Sequence, residues 1–334
     1  MDRTNGLDTF SLKEVLLEPE EADGWIIEDL IAPGLHLLVG PPKVGKSWMS
    51  LGMGIAVCQG DPFLGFATEK CKVLYLALED PRARIKKRAW KLLDETTGEL
   101  YFATAASKVS SGLIPQIENH LEDYPGTRLV IIDTFQMVRE STKDSAYAAD
   151  YADLTPLKKM ADKNGIAVVV IHHTRKMGDA DVFNTVSGTT GLTGCADSTM
   201  VLSNVNRADG NATLTLTGRD REFLELKVRF KNCAWHLVEV TSQEELEERD
   251  VPDDVLRTLD FMAREPGQWQ GTATDLIRAV GATGVSVATF GKHLAQHSSF
   301  MKDRGVEYSR KHMRAGTMLT LEHLATNEGG EDDG

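Results

Sequence analysis

The chain has 334 residues, 41% of them hydrophobic and 26% charged, with a formal net charge of −13. That balance belongs to an ordinary globular protein with room for one large domain or two, and it excludes a disordered or fibrous chain. The negative charge argues against a surface coated by nucleic acid, while leaving room for a local basic site.

The N-terminal segment, 1–24, is acidic and lacks the apolar core of a signal peptide. No apolar run approaches the length of a bilayer span, so no membrane partner is expected. Cys58, Cys71, Cys195 and Cys233 are scattered, and none pair as C-x-x-C. That speaks against zinc and against a disulfide framework, and for a reduced, cytoplasmic home. There is no internal repeat.

From about Gly34 to Ser203, strand-like and helix-like stretches alternate. The first strand, "LHLLVG", runs into "PPKVGKS" and then into "WMSLGMGIAVCQG", a helical pattern ending in Gly. Gly40, Pro41, Pro42, Lys43, Val44, Gly45, Lys46 and Ser47 fit G-x-x-x-x-G-K-[ST], and the binding stretch extends to Trp48. Glycine at both ends lets the backbone curl around a phosphate. The loop amides form an anion nest, and the helix that follows adds the positive end of its dipole. Lys46 reaches the β and γ phosphates of ATP, and Ser47 places its hydroxyl on Mg²⁺.

The next strand, "KVLYLAL", ends at Glu79, on the sheet edge where open α/β folds bind ligands. A carboxylate there can polarise an attacking water. Asp80 and Pro81 begin the helix "DPRARIKKRAWKLLDE", so Asp80 fits a capping acid and Glu79 is left for chemistry. The basic run Arg82 to Lys91 reads as a solvated or subunit-facing helix. "TRLVIID" then places Asp133 at the end of an apolar strand, where a carboxylate can hold the Mg²⁺ shell. Thr134 follows it rather than a glutamate, so the general base has to come from elsewhere, and Glu79 supplies it.

"IAVVVIHH" ends the next core strand. A polar side chain there can touch the γ-phosphate; His173 is the first candidate and His172 the second, on opposite faces of the strand. The loop "TRKMGDADVFNTVSGTTGLTG" is long and polar and opens with Arg175 and Lys176. After it, "DSTMVLSNV", "NATLTLTG", "FLELKVRF" and "AWHLVEV" read as short strands forming an antiparallel extension at one edge. "TSQEELEERDVPDD" is acidic and reads as a linker.

The set "GPPKVGKS", "YLALEDP", "VIIDTF", "VVIHHTRK", "SGTTGLTGCADSTMVL" and "LTLTGRDREFLELKVRF", in that order, resembles the RecA-like ATPases. Within them it looks like the RepA-type hexameric replicative helicases of plasmids and their phage and bacterial relatives, over about Trp25 to Val240. The resemblance implies that Glu79 activates water, that His173 senses the γ-phosphate, and that Arg175 and Lys176 start a loop facing a channel for single-stranded DNA. It also implies self-association as a ring (a hexamer) or a filament, with an arginine finger added to each site by a neighbour. Arg219 in "TLTGRDRE" is the match and Arg221 the second choice. The alternative for Arg219 is a turn arginine paired with Asp220. DnaB-type helicases carry a lysine two residues before the finger, and here that position is Thr217.

The segment from about Val255 to Leu324 resembles a winged helix-turn-helix. "TATDLIRAVG" is the first helix of the motif, "SVATFGKHLAQHSSFM" the second, capped by Ser286, and "VEYSRKHMRAGTMLTLEHL" the wing. Lys292, His293, Arg310, Lys311 and Arg314 then fall where phosphates would be met.

The sequence therefore predicts an α/β protein. Its RecA-like P-loop NTPase core, 25–241, has a mostly parallel sheet with an antiparallel edge extension. An acidic linker spans 242–252, a small winged-helix-like domain 253–324, and a disordered acidic tail 325–334. The expected activity is Mg²⁺-dependent ATP hydrolysis coupled to nucleic acid in replication or recombination, as a helicase-type motor with other replication or recombination proteins as possible partners. A recombinase-type DNA-binding ATPase and an ATP-switched regulatory module are the alternatives.

Overall fold

The computed structural model of the chain describes residues 10–17, 24–95, 98–140, 146–173, 190–206, 208–219, 221, 223–242, 245–246, 248, 251–265, 267–313 and 316–324. The chain divides into two compact units, Met1–Thr241 and Ser242–Gly334.

The first unit opens with the short helix α1 (Leu12–Leu17), then β1 (Gly34–Gly40), α2 (Lys46–Gln59), β2 (Lys72–Ala77) and α3 (Arg82–Leu92). There follow β3 (Leu100–Ala103), α4 (Leu113–Asp123), β4 (Thr127–Asp133), α5 (Phe135–Val138), α6 (Ala146–Asn164) and β5 (Ala167–His173). The last part holds α7 (Thr190–Cys195), β6 (Ser198–Ser203), β7 (Asn211–Gly218), β8 (Leu224–Lys231) and β9 (Ala234–Ser242). Among the described residues these strands form one sheet in the order β3-β2-β4-β5-β1-β6-β7-β8-β9.

The strands β1, β4 and β5 are apolar on both faces because helices cover both. Alternation sends Leu38, Ile131, Val169 and Ile171 to one core with Met49, Met53 and Val57 of α2. Their neighbours Leu37, Val39, Val130, Ile132, Val168 and Val170 go to the other core, with Leu113 and Ile117 of α4 and Leu154 and Leu157 of α6. Leu38 is fully buried, and Leu38→Ala would cost about 3 kcal/mol. The core strands β1, β2, β4 and β5 run parallel, as doubly covered apolar strands do.

One expectation needs correction. The stretch "DSTMVLSNV" does not belong to the antiparallel extension. It forms β6, which pairs parallel with β1, His36 opposite Ser198. The antiparallel pairing starts one strand later, at β6–β7. The physical reason is that β6 follows the helix α7, and a helical crossover returns a strand in the parallel sense.

The second unit contains α8 (Asp253–Met262), β10 (Gln268–Thr272), α9 (Ala273–Val280), α10 (Val287–Gln296), α11 (Ser298–Asp303), β11 (Val306–Met313) and β12 (Gly316–His323). Its strands pair antiparallel in the order β10-β12-β11. Val255, Met262, Leu276, Phe290, Leu294, Met301 and Leu321 make its core. Thr272 and Asp275 form a capping box at the start of α9. The Ser286 hydroxyl accepts from the Thr289 amide at the start of α10. The single helix expected through Met301 is broken at His297, whose ψ of 20° leaves the helix and turns Met301 into the core. The His293 Nδ1 lies 2.9 Å from the carboxylate of Asp254 on α8.

Among the described residues no helix is long and apolar enough to cross a membrane.

Candidate active site

The loop between β1 and α2 sits at the carboxyl end of the parallel strands. Gly40 ends β1 beside His173 of β5, and a Cβ on Gly40 would come within 2.7 Å of the Leu202 carbonyl oxygen. Gly45, with φ 100°, turns the chain into α2. Between them Pro41, Pro42 and Lys43 are exposed, and Val44 is partly buried.

Lys46 is 4% exposed. Its Nζ donates to the carbonyls of Gly40 at 2.7 Å and Pro41 at 2.8 Å, and lies 3.1 Å from His173 Nδ1. Burial pulls its pKa down to about 8, against the opposing pull of Asp133 and Glu79. His173 is lowered too, first by burial and then by the Lys46 charge. A neutral ring with a lone pair on Nδ1 is therefore the form that meets the ammonium.

Ser47, in the first turn of α2, lines the same cleft as Asp133, at the end of β4. Burial raises the Asp133 pKa, while the Ser47 and Tyr75 hydroxyls hold it down. Tyr75 donates to Asp133 Oδ2 at 2.8 Å and shares a 2.8 Å bond with Ser50. Ser47 and Asp133 thus offer oxygen ligands beside the phosphate nest. Among the described residues no group of three or more His, Cys, Asp or Glu is gathered for a metal. The pair suits a hard divalent cation that takes its other ligands from phosphate and water, as Mg²⁺ does.

Glu79 is not the last residue of β2, which ends at Ala77. The Leu78 amide still bonds to the Asp133 carbonyl, and the chain turns immediately after. The turn sets the Glu79 carboxylate 3.0 Å from the Thr134 hydroxyl, which donates to it. Asp80 does not cap α3: no side-chain cap is made there. Its carboxylate instead holds Arg84, at 2.8 Å, and Arg88.

Lys46, Ser47, Glu79, Arg88, Asp133, Thr134 and His173 line one cleft of about 790 Å³. Its inner wall is the glycine loop with Glu79, Asp133, Thr134 and His173. Its outer wall is Trp48, Arg88, Phe230 and Trp235, with Asn206, Ala208, Asp209 and Gly210. Sequence reasoning missed Tyr75, Phe230 and Trp235. They read as alternating residues of ordinary strands, and nothing local distinguishes a ring packed on a catalytic loop from one in a core.

Arg219 lies elsewhere. Gly218 pairs with Ser198, which pairs with His36, so Arg219 stands at the amino end of β1. From the level of Leu35 to Gly40 is roughly 17 Å of strand. Its guanidinium donates to the Gly194 carbonyl at 2.8 Å, beside Asp197. It lines a second cleft, of about 470 Å³, with Thr193, Asp197 and Thr217. Its side chain stays 55% exposed. Arg221, the second choice for a finger, turns inward to the Leu30 carbonyl. His172 is buried against the edge of the Phe135 ring, on the face away from the cleft.

Arg175, Lys176 and Arg314 lie outside the described residues. Lys292 and Arg310 line a groove of about 470 Å³ in the second unit, with Gly291, Ala295, Tyr308 and Leu319. Lys311, next along β11, is exposed.

An AAA domain family matches residues 6–179, just over half of the chain. No curated protein sequence is significantly similar to it. The fold is similar to a solved structure named "ATPase Domain of G40P", with TM-score 0.55 and 16% identity, over 70% of this chain and 100% of that one. It is similar also to a DnaB-like replicative helicase, solved with attention to its interactions with primase. There the TM-score is 0.55 and the identity 17%, over 70% of this chain and 68% of that one. At such identity the likeness is one of fold, and the shared fold is the RecA-like P-loop ATPase core. The matched stretch begins ahead of β1 and runs past β5, so it carries the whole inner wall of the cleft, and the chain belongs to the AAA domain family.

Proposed function

We propose that the chain is a Mg²⁺-dependent ATP hydrolase that assembles with copies of itself and works on nucleic acid, as a helicase-type motor in DNA replication. One observation carries the reading: Lys46 and Ser47 at the start of α2, Asp133 at the end of β4 and Glu79 just past β2 converge in a single cleft. Lys46 and the loop amides hold the triphosphate. Ser47 and Asp133 hold Mg²⁺. Glu79, oriented by the Thr134 hydroxyl, takes a proton from water as it attacks the γ-phosphorus, and the bond to the β–γ bridging oxygen breaks with ADP as the leaving group.

Among the described residues the cleft is lined by the cations Lys43, Lys46 and Arg88, and the charge that develops on the γ-phosphate calls for one more. Arg219 supplies it from a second copy, since in its own chain it stands at the far end of the sheet. A ring or filament follows from that need. A DnaB-like replicative helicase among the similar structures supports the replicative role. His173, bonded to Lys46, couples phosphate loss to the segment that follows, where Arg175 and Lys176 meet single-stranded DNA. The second unit acts as a winged-helix-like module, with Lys292, Arg310, Lys311 and Arg314 toward phosphates. The protein works in the cytoplasm.

Thr217 favours a second reading. It pairs with Thr199 inside the sheet, where DnaB-type helicases carry a lysine near the finger. A weaker trans contact suits a recombinase-type or regulatory ATPase that switches state rather than translocates. ATPase rate and oligomeric mass, with and without single-stranded DNA, together with unwinding of a forked duplex, test the proposal. Stimulation by DNA, a multimer and unwinding are expected. A DNA-indifferent monomer would refute it, and DNA-stimulated filaments without unwinding would select the recombinase.

A further inference from the structure

The antiparallel edge of the sheet sends one side chain back over the glycine loop. Trp235 of β9 donates its indole Nε1–H to the Gly45 carbonyl at 3.0 Å, across 190 positions of sequence. The same carbonyl accepts the amides of Trp48 at 3.1 Å and Met49 at 3.0 Å, the first bonds of α2. The indole also lies flush on Gly45, where a Cβ would come within 3.0 Å of its ring.

In a trans peptide the C=O and the following N–H point in opposite directions. Pinning the Gly45 carbonyl outward therefore pins the Lys46 amide inward, toward the phosphate nest. Glycine at φ 100° has little intrinsic resistance to rotation of that peptide. The Trp48 and Met49 amides hold it from the helix side, and the indole adds a third bond from across the sheet. Trp235 is itself well anchored: it is buried, with Phe230 at 5.1 Å, and Phe230 meets Trp48 at 6.2 Å. Arg88 lies over Trp48 at 5.4 Å and also binds Asp80, next to Glu79. The outer wall thus runs unbroken from the glycine loop to the turn that carries the general base.

We propose that Trp235 is a positioning residue for the phosphate loop, and that through it the β8–β9 hairpin sets nucleotide affinity. The proposal rests on reading the cleft as a nucleotide site. Trp235→Phe keeps the ring and removes the N–H, and Trp235→Ala removes both. With the full-length chain, affinity for a fluorescent ATP analogue is measured with Mg²⁺, alongside turnover at saturation, melting temperature and amide hydrogen exchange at residues 45–48.

Trp235→Phe should weaken binding about fivefold, the scale of one neutral hydrogen bond, while turnover at saturation changes less than about twofold. Trp235→Ala should weaken binding further and speed exchange at Lys46 and Ser47. Trp90→Phe, at a tryptophan 61% exposed on α3, should change neither. Unchanged affinity in both Trp235 variants would overturn the proposal. So would a lower melting temperature with native affinity and native exchange, since that is a merely structural role. Wild-type protein that binds no nucleotide would refute the nucleotide reading instead. In that case exchange judges the clamp: faster exchange at 45–48 in Trp235→Ala supports it, and unchanged exchange overturns it.

Discussion

The Lys46 ammonium and His173 Nδ1 lie 3.1 Å apart, joined across 127 positions at the ends of neighbouring elements. With two loop carbonyls they complete the donor set of the lysine. On the proposed function, a triphosphate entering the cleft takes over these bonds and releases His173, which would make the histidine a reporter of the γ-phosphate.

Lys46→Ala should lower ATP affinity at least about a hundredfold, the scale for stripping one partner from a buried charge pair. Lys43 in the same loop is exposed and does not compensate. Equilibrium binding of a labelled nucleotide checks this; native affinity would remove the site from the glycine loop.

Glu79→Gln separates binding from chemistry. The amide still accepts from Thr134, so the turn stays in place, while the base is gone. Nucleotide affinity should stay within a few-fold and turnover should fall about a hundredfold or more. If single-turnover hydrolysis survives, Asp80 or Asp133 does that work.

Arg219→Ala should bind ATP normally and hydrolyse it about a thousandfold more slowly. Mixing tests whether the site is shared. A Glu79→Gln chain has a dead site but offers an intact Arg219 to its neighbour. The two variants together should exceed the sum of their separate rates. A mixture no faster than that sum, or a wild-type monomer with full activity, would count against a shared site.

His36 predicts an acid limit to stability. It is buried on β1, and its Nε2 must donate to the Ala32 carbonyl at 2.7 Å. Nδ1 then accepts from Ser198, also at 2.7 Å, which satisfies a neutral ring. Burial pulls its pKa down to about 4. The unfolded chain binds a proton near pH 6.5 and the folded one resists it. The neutral ring's contribution is therefore complete above pH 6.5 and is lost as pH falls through 4. The whole effect is about 3 kcal/mol. Urea unfolding at pH 7 and pH 4 should show a steeper loss for wild type than for His36→Asn. Parallel losses would assign the acid sensitivity to the carboxylates.

Much of the inner wall was legible from local chemistry. An apolar run into G-x-x-x-x-G-K-S can only be a strand feeding a loop and a helix, so Gly40 to Trp48 were readable as one unit. Asp133 was readable because a carboxylate that ends a fully apolar strand has to lie at a sheet edge. What the tertiary structure decided is where chains distant in sequence meet. Alternation tells which face a strand residue takes, not which strand lies beside it. So it could not show that β6 joins β1 in parallel, that Tyr75 reaches Asp133, or that Arg221 turns inward while Arg219 stays exposed. It could not show Trp235 on Gly45 either. Local pattern follows from the period of a strand or helix within a few residues. Register and neighbour follow from burying every apolar face at once, and that is a property of the whole sheet.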